Sequence, residues 1–451
     1  MTAAQKELRI GVGAGFAGDR CEAAEALAHH GELDALVFET LAERTIALAQ
    51  LDLHQGTGLG YDPRLLWRIA GTWEPVLGRG GVIVTNGGAA DPLGAARAIR
   101  RLTKEAQATH HPNIVAVLGD DVRADLDLKN SRILGTDQVL AEYGDRIISA
   151  NAYTGAEAIQ TAISSGADIV VTGRTSDPAL FLGPVASRLG WDPAANDDLN
   201  AAGLLAGHLL ECGGQLTGGY FADGGRKAVP NLAFLGFPMA EISDRGGITI
   251  SKLPGTGGLV SAETVIEQLL YEIEDPGAYV TPDGILDLRS GHVDEIAPDV
   301  VRVGGARLAG RPQQLKVSVG VSDGFRAAAS IIYAGQHALR RARLAGEIIA
   351  ERWSTLYGYD SSDLAIEYVG VNSTRHWWDV DGAENAPEVR LRIGLRSLEK
   401  PPAVTLCEEV EALYTNGPAG GGGVTTQIAP SVGIVSTLIP KDLVQQRTEE
   451  V

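Results

Sequence analysis

Glu39 and Glu43 stand close to Arg44 in VFETLAERT. A carboxylate with a cationic neighbour, or one that is buried, can be tuned to act as a general acid or base. The plain alternative is a structural Glu–Arg pair at a loop rim. Asp120 and Asp121 follow the apolar run IVAVLG. Two adjacent acids in that place invite a divalent ion or proton transfer, and could equally cap the next turn. Arg174, in VVTGRTSDP, follows another apolar run, with Thr172 and Thr175 on either side. Its guanidinium fork suits a carboxylate or phosphate. Asn86 in VTNGG and Asn151 in SANAYTG add polar groups after two further runs. In GVGAGFAGDR, Gly15 belongs to a turn whose backbone N–H groups can approach an anion, with Asp19 and Arg20 beside it.

Other residues read as structural. Asp91 before Pro92 is a helix N-cap. Asp177 before Pro178 reads the same way, which leaves Arg174 free for an anionic substrate group. His208 and Cys212 lie four residues apart on a helical segment and could share a metal, but packing is the better reading. Gly13, Gly15 and Gly18 satisfy GxGxxG, with Glu39 as the acidic residue further on. The Asp19–Arg20 pair and the delayed helix start argue against a dinucleotide, so NAD is not expected. The run GPAGGGG lacks a following Lys-Ser or Lys-Thr and is no P-loop; it is either a phosphate cradle or a flexible loop. The common hydrolase motifs are absent.

These side chains need a scaffold that gathers strand ends. Apolar runs at Arg9–Val12, 35–38, 82–85, 114–118, 147–150 and 169–172 alternate with helical stretches, among them one from Pro92 to about Gln107. That alternation makes a buried parallel sheet, whose ligands bind at the carboxyl ends of its strands. Ala201 to Pro254 is glycine-rich and irregular, as a functional loop would be. A strong helix follows, with Ser261 or Thr264 as its cap. The last third reads as strand LKVSVGV, a long helical region from Phe325 to Trp353, two strands, a helix and a final strand. The expected fold class is α/β: a parallel βα-repeat N-terminal domain at residues 1–255, a connecting segment at 256–309, and a smaller α+β (βαββαβ, ferredoxin-like) C-terminal domain at 310–451. Whether the first sheet is open or closes into a barrel is not readable at this level.

Bulk composition narrows the function. The chain has 451 residues, more than one ordinary core organises. Net charge is -19 and aromatic content only 5%, so nucleic acid and anionic membranes are not expected partners. Local arginines still allow a small anionic substrate. Three scattered cysteines give no disulfide framework. No signal peptide and no membrane-spanning run is apparent, so the cytoplasm is the expected location.

The strings GAGFAGDR, VFETLAERTIALAQ, GYDP, VTNGGAADP, GADIVVTGRTSDPA and HLLECGGQLTGGYFAD together give a chain that resembles the acyclic terpene utilisation family, AtuA, over nearly its whole length. The resemblance implies bacterial catabolism of branched acyclic terpenoids such as citronellol and geraniol, through acyl-CoA intermediates. It also implies a short partner protein, separate or fused. It carries no catalytic role to any single residue. The resulting expectation is a lyase of the hydratase or dehydratase type acting on a small carboxylate or acyl-CoA, as a homo-oligomer. The candidate catalytic groups are Glu39, Glu43, Asp120 and Asp121. The alternatives are a non-catalytic acyl-CoA- or partner-binding subunit and a nucleotide-dependent oxidoreductase.

Overall fold

Short runs of Val, Ile and Leu suit a pleated sheet better than a helix, because β-branching restricts χ1 and the runs are too brief to nucleate a helix. In the computed structural model, which describes residues 6–106, 111–374 and 382–451, they become β1 (Glu7–Ala14), β2 (Ala35–Phe38), β3 (Val82–Thr85), β4 (Ile114–Leu118), β5 (Ile147–Ala152) and β6 (Ile169–Thr172). Every residue of β2, β3 and β6 is buried, as parallel strands covered on both faces must be. Alternate residues serve opposite faces. Ala35 and Val37 join one apolar core, while Leu36 and Phe38 join the other.

The protein is mixed α/β and divides into two units, Met1–Gly320 with Ile434–Val451, and Val321–Gly433. The first unit also holds β7 (Pro238–Ser243), β8 (Ile248–Lys252), β9 (Tyr279–Thr281), β10 (Gly284–Asp287), β11 (His292–Ala297), β12 (Val300–Gly304) and β13 (Arg307–Gly310). The chain enters the second unit along β14 (Gln314–Ala334). There follow a helix at Ala338–Thr355, β15 (Leu364–Val369), β16 (Glu388–Ser397), a helix at Lys400–Asn416 and β17 (Gly421–Pro440), which leads back to the first unit and β18 (Arg447–Glu450). The main sheet has ten strands in the order β11-β12-β8-β7-β1-β2-β3-β6-β4-β18 and does not close. Its centre, β1-β2-β3-β6-β4, is parallel. In the second unit the strand order is β15-β16-β14-β17, and alternating burial along β16 puts one sheet face against the core. Among the described residues no helix is long and apolar enough to cross a membrane.

Several expectations need correction. β5 is not in the parallel sheet: it pairs with β14, through bonds such as Tyr153 N–H to the Lys316 carbonyl at 2.9 Å. The stretch read as irregular contains the hairpin of β7 and β8, which pairs antiparallel with β1. Its turn needs Gly246 at φ +82°, a conformation that favours glycine. Residues 256–309, expected only to connect, contribute β11 and β12 to the main sheet. Phe325–Ala334 is strand, not helix, because it pairs with β16 and alternates Ala327, Ala329, Ile331 and Tyr333 into the core. Pairing there overrides the helical preference of its alanines. Gly421 to Gly423 begin β17, and residues 417–420 form the turn before it. The helix after Pro92 ends at Glu105; Gln107 lies outside the described residues.

Asp91 does cap that helix, accepting from Gly94 N–H at 2.8 Å. Asp91→Ala should cost about 1 kcal/mol of stability, the usual value of such a cap, measured as a shifted urea midpoint at unchanged slope. Ser261 caps its helix in a reciprocal box with Thr264.

Candidate functional site

Just beyond the parallel strands β2, β3, β4 and β6 stand Glu39, Asn86, Asp120 and Arg174, buried and hydrogen-bonded to one another, to Asn151 and to the Leu41 backbone. Asn86 Nδ2 donates to Glu39 Oε1 at 2.8 Å, while its Oδ1 accepts from Thr40 N–H at 2.8 Å. Asn86 therefore fixes Glu39 in place. Burial, reinforced by the Asp177 charge, pushes the Glu39 carboxyl up to about 8. Asp120 accepts from Asn151 Nδ2 at 2.9 Å and from Arg174 N–H at 2.8 Å, and burial pushes it up to about 6. Thr172 and Thr175 are buried and donate to the carbonyls of Gly173 and Thr154, so they brace the loop.

Arg174 is buried under the Tyr153 ring, with its guanidinium carbon 4.1 Å from the ring centroid. It is not free. It donates to the Leu41 carbonyl and, at 3.0 and 3.2 Å, to both carboxylate oxygens of Asp177. The expected cap role of Asp177 is thus overturned: the helix after it begins at Ala179 behind Pro178, with no side-chain cap. A guanidinium three residues away is the stronger partner for a carboxylate in a dry site.

Next to this network lies a pocket of about 630 Å³ in the first unit, within the size range of small-molecule sites. Glu43, Arg44, Arg174 and Asp177 line it together with residues from distant parts of the chain: His208, Glu211, Glu272, Tyr279 and Lys316. Glu43 accepts from Tyr153 at 2.7 Å and Lys316 at 2.6 Å. Burial works to raise its carboxyl, but these two bonds outweigh it and hold it below the ordinary range. Arg44 is exposed at the pocket, and no ion pair is found for it among the described residues. Glu272 sits at φ +59°, an uncommon conformation for any residue but glycine.

His208 and Glu211 form the second polar centre. His208 Nδ1 faces Glu211 Oε1 at 3.1 Å, and Nε2 faces the Leu269 carbonyl at 3.1 Å. A carbonyl only accepts, so Nε2 carries a hydrogen. The Nδ1–Oε1 contact is then closed by one proton, on either partner. Burial pushes Glu211 up to about 7, against the pull of His208. Burial opposes charge on His208, but Glu211 outweighs it and raises the imidazole above its ordinary value. The helix thus carries a buried polar pair beside its packing residues. The spacing of His208 and Glu211, three apart on one helix face, was the available signal. Lys316, Glu272 and Tyr279 had no local signal, since they arrive through β14 and the segment before it.

The remaining candidates lie elsewhere. Gly15 N–H donates to Asp19 at 2.8 Å, so the chain's own carboxylate takes the position expected for an anion. A Cβ on Gly15 would meet the backbone of Cys212 at 2.3 Å; the glycine is needed for that close approach. Arg20 donates to the Ala233 carbonyl at 3.0 Å and does not line the pocket. Asp121 is exposed and accepts from Arg123 N–H at 3.1 Å, the turn-capping reading of that pair. Among the described residues no group of three or more His, Cys, Asp or Glu is placed to hold a metal ion.

Glu39 gives a pH test. Its carboxyl is raised from an ordinary 4.5 to about 8 by folding, so the folded state binds the extra proton between those values. Its stabilising contribution is complete below the lower value and is lost as pH rises through the upper one. Glu39→Gln keeps an oxygen for Asn86 and Leu41 and cannot titrate. The variant should hold its melting temperature across this window better than the parent does. Parallel slopes for the two proteins would assign the titration to another group.

A model of the family described as acyclic terpene utilisation family protein AtuA matches residues 8–449. No curated protein and no solved structure matches the chain.

Proposed function

The chain belongs to the acyclic terpene utilisation family, AtuA, and from that premise we propose that it is a catabolic lyase, adding or removing water on a branched acyl-CoA or small carboxylate. Membership suggests a role in acyclic terpene utilisation. The reaction type rests on one observation: His208 and Glu211 share a proton at the wall of a pocket, with Glu211 poised near 7. A group with its pKa near the working pH is the most effective proton carrier. Arg44, which has no ion pair among the described residues, adds a positive charge for an anionic substrate group, and Tyr153, held by Glu43, lines one side. Catalysis belongs to the first unit on this reading. The strand orders support a parallel βα-repeat there and a ferredoxin-like arrangement in the second unit.

A second reading, a partner-binding subunit, draws on Phe16, Tyr220 and Phe234, which are large, aromatic and exposed in the first unit. The two readings separate with the purified full chain and a geraniol-derived α,β-unsaturated acyl-CoA. The enzyme reading expects loss of the enoyl-thioester absorbance and a product heavier by one water. Binding detected by calorimetry with no such product would favour the subunit.

A further inference from the structure

The sheet of the second unit has one face on its core, and the opposite face carries a second cavity, of about 650 Å³. Residues alternating away from the core include Arg326 and Ala328 on β14, Arg392, Gly394 and Arg396 on β16, and Ala365 and Glu367 on β15. The register sorts them into rows. Arg326 stands directly across from Arg396, and Ala328, Gly394 and Ala365 make the next row. These three carry at most a methyl group, so they form the low floor of the cavity, and the arginines rise at its rim.

Like charges facing each other on paired strands destabilise the pair. Arg392 is neutralised, because its Nε donates to Glu367 at 2.6 Å. Arg326 and Arg396 are not. Among the described residues neither guanidinium makes a hydrogen bond, and the one ion-pair contact, Arg396 to Asp323, spans 3.9 Å, too long for one. Asp363 also lines the cavity and pairs with neither.

We propose that this cavity binds the phosphate monoester group of a small molecule, held jointly by the Arg326 and Arg396 guanidinium groups. The anion would turn a repulsive pair into a bridged one. Two forks call for several acceptor oxygens. A phosphate monoester offers three terminal oxygens and a charge of about −1.5 to −2, against two oxygens and one charge on a carboxylate. The volume is that of a small-molecule site. A nucleic acid does not fit: the net charge of -19 repels a polyanion, and among the described residues no aromatic side chain lines the cavity to stack a base. The inference does not depend on the reaction assigned to the first unit. The monoester could belong to the 3′-phosphate of coenzyme A or to another phosphate ester.

Calorimetry on the full chain at low ionic strength, with inorganic phosphate, coenzyme A and 3′-dephospho-coenzyme A, tests this. Phosphate should bind the parent, and Arg326→Gln or Arg396→Gln should each weaken it about tenfold, the scale of one hydrogen bond to a charged group. Arg326→Lys keeps the charge but loses the fork, so its loss should be smaller than that of Arg326→Gln. Without phosphate, either glutamine variant should melt no lower than the parent, since a repulsion is removed and no bond is lost. If coenzyme A is the source, the parent should prefer it to the dephospho form, and the double glutamine variant should not. Equal binding of the two forms, with phosphate still dependent on the arginines, assigns the site to another phosphate ester. No phosphate binding by the parent, or unchanged phosphate affinity in the double glutamine variant, overturns the inference.

Discussion

Glu211→Gln should lower turnover of a geraniol-derived unsaturated acyl-CoA by about 10²–10⁴-fold, the usual worth of a general acid or base. The amide is nearly isosteric. Its N–H can donate to His208 Nδ1 while its oxygen takes the place of Oε2, so binding and fold should persist. What it cannot do is carry the proton. The loss should therefore fall on kcat, with KM little changed. The parent's rate should also depend on pH near 7, where Glu211 is poised, and the residual rate of the variant should lose that limb. A variant with near-parental kcat would remove Glu211 from the chemistry.

Arg174→Met carries the largest expected stability loss. The guanidinium is the counter-charge of Asp177 and also ties the loop at Leu41. Removing one member of a buried pair costs about 3–5 kcal/mol, since the other charge is left behind. Asp177 is 31% exposed, so the lower end applies. The carboxyl groups of Glu39 and Asp177, both influenced by Arg174, should move further up in the variant. Denaturant unfolding measures the loss directly. A loss under about 1 kcal/mol would match a surface pair instead and would contradict this account of the strand-end network.

Much of the first unit can be read from residues alone. β2, β3, β4 and β6 occupy the apolar runs that announce them, because a strand covered on both faces is continuously apolar, and here each is followed by Glu, Asn or Gly. Glu39, Asn86, Asp120 and Arg174 meet because strands in parallel register end on one edge, and Asn151 reaches Asp120 from β5, outside that sheet. Asp91 was legible because a cap is a local matter. The pocket was less so. Lys316 reaches Glu43 only through the pairing of β5 with β14, and no local pattern encodes a contact between such distant residues. Asp177 misled because Pro178 gives it the context of a cap, while its true partner depends on how deeply Arg174 is buried. His208 and Cys212 looked like packing because an amphipathic helix buries its face in either case. Only the position of the Leu269 carbonyl shows which nitrogen holds the hydrogen.

Hydrogen exchange into the substrate tests the central claim, that the His208–Glu211 pair moves a proton to and from the α-carbon, most directly. The full chain is incubated in deuterium oxide with 3-hydroxy-3-methylbutyryl-CoA, and the thioester is followed by mass spectrometry and proton NMR. The account predicts enzyme-dependent deuterium at the α-carbon, greatly slowed in Glu211→Gln although that variant still binds the thioester. An α-carbon that stays fully protonated while the thioester is bound would contradict it.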